Sequence, residues 1–220
     1  MTERALLLDA GNTVVFLDHD AVAGVLALEP ELVAAAEPVA KRRYEAALRE
    51  GGSHDDGWRI FARELALAAG FAGDAEAAVD ALWAEHGRFN LWRRVPEDLP
   101  GALERARGVG FRIGVVSNSE GKLEELFARV GLEGAFEVIV DSAIVGIRKP
   151  DPAIFAMALD ALDCGAAGSW YAGDLPDVDV VGARAAGLHA ALIDPLDHYR
   201  DYDEAPRFPS VAALVSALAR

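Results

Sequence analysis

Two kinds of hydrophobic pattern alternate along most of this chain. Short, mainly apolar runs stop abruptly at polar residues: Leu6–Leu8 before Asp9, Phe111–Val116 before Ser117 and Asn118, and Trp170–Ala172 before Gly173 and Asp174. Phe136–Val140 and Ala190–Ile193 are further runs of the same kind. Runs of this length, bounded by turn residues, predict strands buried on both faces. Between them apolar residues recur every three or four positions. This predicts helices at Pro100–Arg107, Lys122–Val130, Val178–Ala186 and Val211–Ala219, and one from Lys149-Pro150-Asp151-Pro152 to about Leu162. Strands that alternate with helices predict a parallel sheet with right-handed crossovers.

One long stretch departs from the alternation. From Ala21 to about Phe89 the pattern is helical throughout, with no strand between segments. Leu26 and Leu28 close a first short segment. A second, Glu31–Leu48, is expected to break or restart near Pro38, where a backbone donor is missing. Asp55–Ala69 carries Trp58, Phe61, Leu65 and Ala69 at helical spacing, and Asp74–His86 places Val79, Leu82 and Trp83 on one face behind Asp74 as N-cap. The glycine-rich Glu50-Gly51-Gly52-Ser53-His54 is the clearest loop between them. The pattern therefore predicts an α/β protein with a Rossmann-like parallel-sheet core, residues 1–16 and 95–220, into which an all-helical domain, residues 17–94, is inserted.

Composition narrows the function. A chain of 220 residues, 52% hydrophobic and 26% charged, is large and apolar enough to bury a core rather than remain disordered. No apolar run approaches the ~20 residues of a membrane span. Met1-Thr2-Glu3-Arg4 leads straight into the first strand, which predicts no signal peptide. Cys164 is the lone cysteine and cannot form an internal disulfide, so a reducing, cytoplasmic setting is expected, with Cys164 as buried packing. A net charge of −15 argues against nucleic-acid and anionic-membrane partners, leaving a small molecule as the expected one. An anionic substrate would need a cation or a local basic group to draw it in. Only Lys41, Lys122 and Lys149 are lysines, so a lysine within a motif stands out.

In a parallel sheet all carboxyl ends lie on one edge, so Asp9, Ser117, Asn118 and Asp174 can meet although far apart in sequence. Their chemistry is complementary. Asp9 is a possible nucleophile. Ser117 offers a hydroxyl and backbone donors beside a helix N-terminus, a seat for phosphate. Lys149 is a point charge suited to a phosphoryl oxygen. Asp174 and Asp179 are hard oxygen donors of the kind Mg²⁺ prefers.

Four motifs, in order and spacing, resemble those of the haloacid dehalogenase-like hydrolase superfamily. They are Asp9-Ala10-Gly11-Asn12-Thr13-Val14, Ser117-Asn118, Lys149-Pro150-Asp151-Pro152-Ala153-Ile154-Phe155, and Gly173-Asp174-Leu175-Pro176-Asp177-Val178-Asp179-Val180-Val181-Gly182-Ala183. The helical insert sits where that family carries its cap (subfamily I-like). The resemblance implies a Mg²⁺-dependent phosphatase of a small phosphorylated metabolite, working through an aspartyl-phosphate on Asp9. It implies that Thr13, Ser117, Asn118 and Lys149 hold the phosphoryl group. It implies that Asp9, the backbone carbonyl of Gly11 and Asp174 hold Mg²⁺, with Asp179 in support. Mg²⁺ and Lys149 would then offset the repulsion between Asp9 and the phosphate.

One departure matters. Most phosphatases of the family carry a second aspartate, as general acid and base, where this chain has Gly11. General acid–base catalysis is commonly worth ~10²–10⁴-fold, so its loss is costly unless the leaving group needs no proton or another donor serves. Acyl and aryl phosphates are leaving groups of that kind. Asp18, His19, Asp20 and His54 are alternative donors, each also readable as a solvated polar residue. Two other enzymatic readings share Asp9 as nucleophile: dehalogenase chemistry, which needs no metal, and phosphonoacetaldehyde hydrolysis, which needs a cap lysine. Lys41 is the one lysine in the insert, but beside Arg42 and Arg43 it reads as part of a solvated basic face. The acidic pair Asp174 and Asp179 weighs against a metal-free reaction. A degenerate member that binds a phosphate-bearing ligand or a protein and turns over poorly is the non-enzymatic alternative. Trp58, Trp83 and Trp92 read as core rather than pocket lining, Asp151 as a helix cap, and Asp177 as lying off the ligand positions.

Overall fold

The structure, a computed structural model, describes residues 3–50 and 54–220, with the side chains of residues 54–56 set aside. The backbone divides into two units, Met1–Phe16 with Arg94–Arg220, and Leu17–Arg93.

The first unit opens with strand β1, Arg4–Leu8, whose last four residues are buried on both faces. Short strand β2, Phe16–Leu17, follows and leads into the second unit, which consists of helices α1, His19–Leu26, α2, Pro30–Arg49, α3, His54–Ala68, and α4, Ala75–Arg88. Strand β3, Trp92–Arg94, returns the chain and pairs with β2. Then come α5, Leu99–Gly108; β4, Phe111–Ser117; α6, Leu123–Arg129; β5, Val138–Asp141; α7, Ser142–Val145; and α8, Pro152–Ala161. The last elements are β6, Trp170–Gly173; a π-helical turn, Pro176–Val180; α9, Val181–Ala185; β7, His189–Ile193; β8, Arg207–Phe208; and α10, Val211–Leu218.

Six strands form one parallel sheet in the order β5-β4-β1-β6-β7-β8. The first strand lies inside the sheet because Ala5 to Leu8 present apolar side chains to both faces. Ala5 and Leu7 pack with Ile154, Phe155 and Ala158 of α8 and with Val180 and Ala183, while Leu6 and Leu8 point to the opposite face. The chain builds β4 and β5 on one side of β1, then crosses back to place β6 on the other. This reversal makes the carboxyl ends of β1 and β6 a topological switch point, where open α/β sheets bind ligands.

In the helical unit Val22, Leu26, Val33, Ala36, Phe61, Leu65, Val79 and Leu82 share one core. Asp74 caps α4 as expected, accepting from the Glu76 N–H at 3.0 Å. Three expectations change. Helix α2 runs unbroken through Pro38, because the buried positions Val33, Ala36 and Ala40 anchor it before and after the missing donor. Trp83 is 44% exposed although Val79 and Leu82 are buried; only one edge of that face meets the core. Lys41 is buried, not solvated: with Glu37 and Glu45 it forms a buried i, i+4, i+8 row on α2, while Arg42 and Arg43 are exposed. The expected loop at Glu50–His54 falls on residues 51–53, outside the described residues. No helix among the described residues is long and apolar enough to cross a membrane.

Candidate active site

Three neighbouring strands deliver the polar residues. Asp9 follows β1 directly, and its N–H donates to the Ala172 carbonyl of β6 at 2.8 Å. Leu8 is in register with Val115 of β4 and Ala172 of β6, so Asp9, Ser117 and Asp174 all emerge at one edge. All three are buried, as are Thr13, Lys149 and Asp179.

The turn after Asp9 is tight. The Val14 and Val15 N–H groups both donate to the Ala10 carbonyl at 2.9 Å. Asn12 adopts the left-handed conformation at φ 53°, which asparagine tolerates better than most residues, and its Nδ2 donates to Asp174 Oδ2 at 3.0 Å. Thr13 is 1% exposed, and its Oγ1 has no hydrogen-bond partner among the described residues. A buried hydroxyl is rarely left unsatisfied, so a ligand or a water is expected to meet it.

Lys149, just ahead of α8, points its ammonium into the same place. Nζ donates to Asp9 Oδ1 at 2.8 Å, to Asp179 Oδ1 at 2.7 Å and to the Tyr171 hydroxyl at 2.7 Å. The Asn118 side chain does not point to solvent. Its amide pairs with both backbone groups of Lys149, accepting from N–H at 2.8 Å and donating to C=O at 3.0 Å. Asp179 is drawn in by the π-helical turn: its N–H donates to the Leu175 carbonyl at 2.7 Å, and its Oδ2 accepts from the Leu175 N–H at 2.9 Å. Gly173 permits this, because a Cβ there would overlap the Asp179 carboxyl. Gly182 likewise allows α9 to approach the loop after Lys149, where a Cβ would lie 2.9 Å from Pro150 Cα.

Burial dominates the electrostatics. It pushes Asp9 up to about 6; Lys149 opposes the shift, while Asp179 and Asp174 add to it. Burial also works against the Lys149 charge, but Asp179 and Asp9 outweigh it and hold the ammonium above its usual range. Three carboxylates face one ammonium, and one oxygen each of Asp9, Asp174 and Asp179 lies within 4.8 Å of the others. Such an excess of buried negative charge, all on hard oxygen donors, fits a divalent cation.

Sequence reasoning missed several members of this neighbourhood. Tyr171 reads as a core aromatic within an apolar strand, yet its hydroxyl sits in the network. Asp141 is buried at the end of β5, where it accepts from the N–H groups of Gly121 and Ala143 at 3.0 Å and so holds the loop that follows Ser117. The one available signal was an aspartate ending a strand. Of the alternative proton donors, Asp18 caps α1 and accepts from Arg93 Nε at 2.7 Å. Burial raises its pKa, but the bonds from Arg93 and Ala21 prevail and hold it below the usual range. His19 is paired with Glu37 at 2.7 Å. The His54 side chain lies outside the described residues.

A carboxylate, an ammonium and an acidic cluster thus meet at the switch point of a Rossmann-like sheet. The chain matches the haloacid dehalogenase-like hydrolase family over residues 3–187 and belongs to it. It is 33% identical over 154 residues to the haloacid dehalogenase-like hydrolase domain-containing protein 3 of Bos taurus, covering 66% of this chain but only 61% of that relative's length. It is 30% identical over 175 residues to the ribulose-1,5-bisphosphate 5-phosphatase of Halopiger xanaduensis, covering 74% of this chain and 72% of that one. The magnesium-bound HAD-hydrolase YfnB of Bacillus subtilis shares the fold across 99% of both chains, with a TM-score of 0.72 at 17% identity. Fold and family do not fix the substrate.

Proposed function

We propose that this protein is a Mg²⁺-dependent phosphatase of a small phosphorylated metabolite, acting through an aspartyl-phosphate on Asp9. The observation that carries this reading is the unpartnered, buried Thr13 hydroxyl in the turn after Asp9, whose carboxylate is itself joined to Lys149. A carboxylate paired with a cation, and a spare hydroxyl in the turn that follows it, suit a tetrahedral oxyanion. The phosphatase relative supports it.

Asp9 attacks phosphorus through a carboxylate oxygen, the bond to the leaving oxygen breaks, and that oxygen departs with the electron pair. Lys149, Thr13 and Ser117 hold the phosphoryl oxygens, with Asn118 fixing the Lys149 backbone. Water then attacks the same phosphorus, releasing phosphate and restoring the Asp9 carboxylate. Asp9, Asp174 and the Gly11 carbonyl would hold Mg²⁺, with Asp179 in support; the ion offsets the repulsion between two anions. Gly11 cannot give the leaving oxygen a proton. Leaving groups that need none, acyl or aryl oxygens, are therefore favoured. The helical unit takes the part of the substrate-selecting cap.

The test is hydrolysis of acetyl phosphate and of an aryl phosphate, with Mg²⁺ and with chelator, by the wild type and Asp9→Asn. Turnover is expected to need Mg²⁺ and to vanish in the variant. Absence of turnover with both substrates would overturn the reading, and halide release from 2-chloropropionate would become the next assay.

A further inference from the structure

Tyr171 is the one uncharged partner of the Lys149 ammonium among the described residues. An ammonium has three N–H bonds, and here they go to Asp9, Asp179 and Tyr171 at 2.8, 2.7 and 2.7 Å. The Tyr171 hydroxyl is fully buried, and its own proton is within reach of the Val116 carbonyl and of Asp179 Oδ1, each at 3.0 Å. Its ring is held edge-on against Phe155, with centroids 4.8 Å apart and planes at 90°. The hydroxyl is thus fixed from both ends.

A phosphoryl oxygen arriving at Asp9 needs one of the Lys149 N–H bonds. The bond to Asp9 is the one to exchange, because that carboxylate oxygen must turn to phosphorus. Asp179 and Tyr171 then remain. Two N–H directions held on a tetrahedral nitrogen fix the third, and the Cε–Nζ axis with it. With Asp179 alone, the ammonium could rotate about a single contact. The neutrality of the second anchor matters equally. Three carboxylates already surround the site, and a fourth would cancel the charge that Lys149 offers a phosphate.

We propose that Tyr171 is a positioning residue for Lys149, its hydroxyl aiming the third ammonium N–H at the substrate's phosphoryl oxygen. The catalytic half of this inference rests on the phosphatase reading; the geometric half does not. The test is Tyr171→Phe, which removes only the oxygen and keeps the ring against Phe155. With three lysines in the chain, the ¹⁵N-detected ammonium signal of Lys149 can be assigned by comparison with Lys149→Met. In the wild type it should be resolved and slow to exchange with water. In Tyr171→Phe exchange should quicken by about tenfold or more, and kcat for an aryl phosphate should fall about tenfold, with KM within about threefold, as for an interaction made only in the transition state. Unchanged ammonium exchange, or a kcat within twofold of wild type, overturns the proposal. If the wild type shows no turnover, the phosphatase reading fails instead, and ammonium exchange alone decides whether Tyr171 positions Lys149. Should Tyr171→Phe not fold, Tyr171→Met fills similar volume without an oxygen and takes its place under the same two readouts.

Discussion

The side-chain amide of Asn118 closes a two-bond ring on the backbone of Lys149, accepting from its N–H at 2.8 Å and donating to its C=O at 3.0 Å. The donor N–H of Lys149 fixes which end of the amide is oxygen. The end of β4 is thereby tied to the base of the Lys149 side chain across 31 residues of sequence. Removing the ring frees the Lys149 backbone, and the ammonium moves with it.

Asn118→Ala should therefore cost activity and some stability. Two part-buried hydrogen bonds at about 1 kcal/mol each predict a loss of about 1–3 kcal/mol, read by denaturant titration. The same variant should lower kcat/KM for an aryl phosphate by about tenfold. Asn118→Asp keeps the acceptor but loses the donor, and should fall between Ala and wild type in stability. If Asn118→Ala has wild-type kcat/KM, the ring does not position Lys149.

Thr13→Val separates stability from function. The Thr13 hydroxyl is buried with no partner among the described residues, so its desolvation on folding is not offset by a protein hydrogen bond there. The isosteric valine should leave stability unchanged or raise it by up to about 1 kcal/mol. Yet kcat/KM should drop about tenfold, and inorganic phosphate should inhibit less well. A variant that loses stability instead would mean that the hydroxyl already has a partner in the folded protein.

Much of this arrangement was legible in the sequence because a buried strand must be continuously apolar and must stop somewhere. Asp9, Ser117 and Asp174 show where three strands stop, and Asp74 and Asp151 show where two helices start, with Asp151 accepting from the Ala153 N–H at 2.9 Å. These are local signals. What stayed hidden depends on long-range approach. Tyr171 looks like any core aromatic until Lys149 reaches its hydroxyl from 22 residues away. The burial of Lys41 runs against its sequence neighbours Arg42 and Arg43, because helix phase rather than adjacency decides which side chain faces inward. Pro38 announces a break that packing before and after it overrides. Strand β8 is two residues long, too short to leave a pattern.

The shifted Asp9 carboxyl would make metal binding at the proposed site pH-dependent. Burial pushes the Asp9 carboxyl up to about 6, against an ordinary value of 3.8. The folded state therefore keeps a proton that the unfolded state has released, and the stability this gives is fully present below about pH 4 and lost as pH rises through 6. Mg²⁺ held at Asp9, as proposed, would compete for the same oxygens and need them ionised. At pH 7.5 little of that competition remains; at pH 5 it should weaken Mg²⁺ about tenfold. The rise in Tm on adding Mg²⁺ should accordingly be larger at pH 7.5 than at pH 5. Equal rises at both would place the ion away from Asp9.

Under the proposed phosphatase reading Gly11 offers the sharpest discrimination, because the missing acid there would restrict which leaving groups the site can release. In the wild type the leaving oxygen departs without a proton from position 11, so rate should follow leaving-group acidity steeply. Acetyl phosphate should turn over at least ~100-fold faster than an alkyl phosphate, the lower end of what general acid catalysis supplies. Gly11→Asp places a carboxylic acid two residues after the nucleophile, where most phosphatases of this family have one. It should raise kcat/KM for an alkyl phosphate tenfold or more and change kcat/KM for acetyl phosphate by less than about threefold, because kcat/KM reports the step in which the leaving oxygen departs and not the later attack of water. That selective gain is the signature of a supplied proton, since a better-folded or better-loaded enzyme would speed both substrates alike. A wild type that already hydrolyses the alkyl phosphate as fast as acetyl phosphate would show that another residue does the work of the missing aspartate.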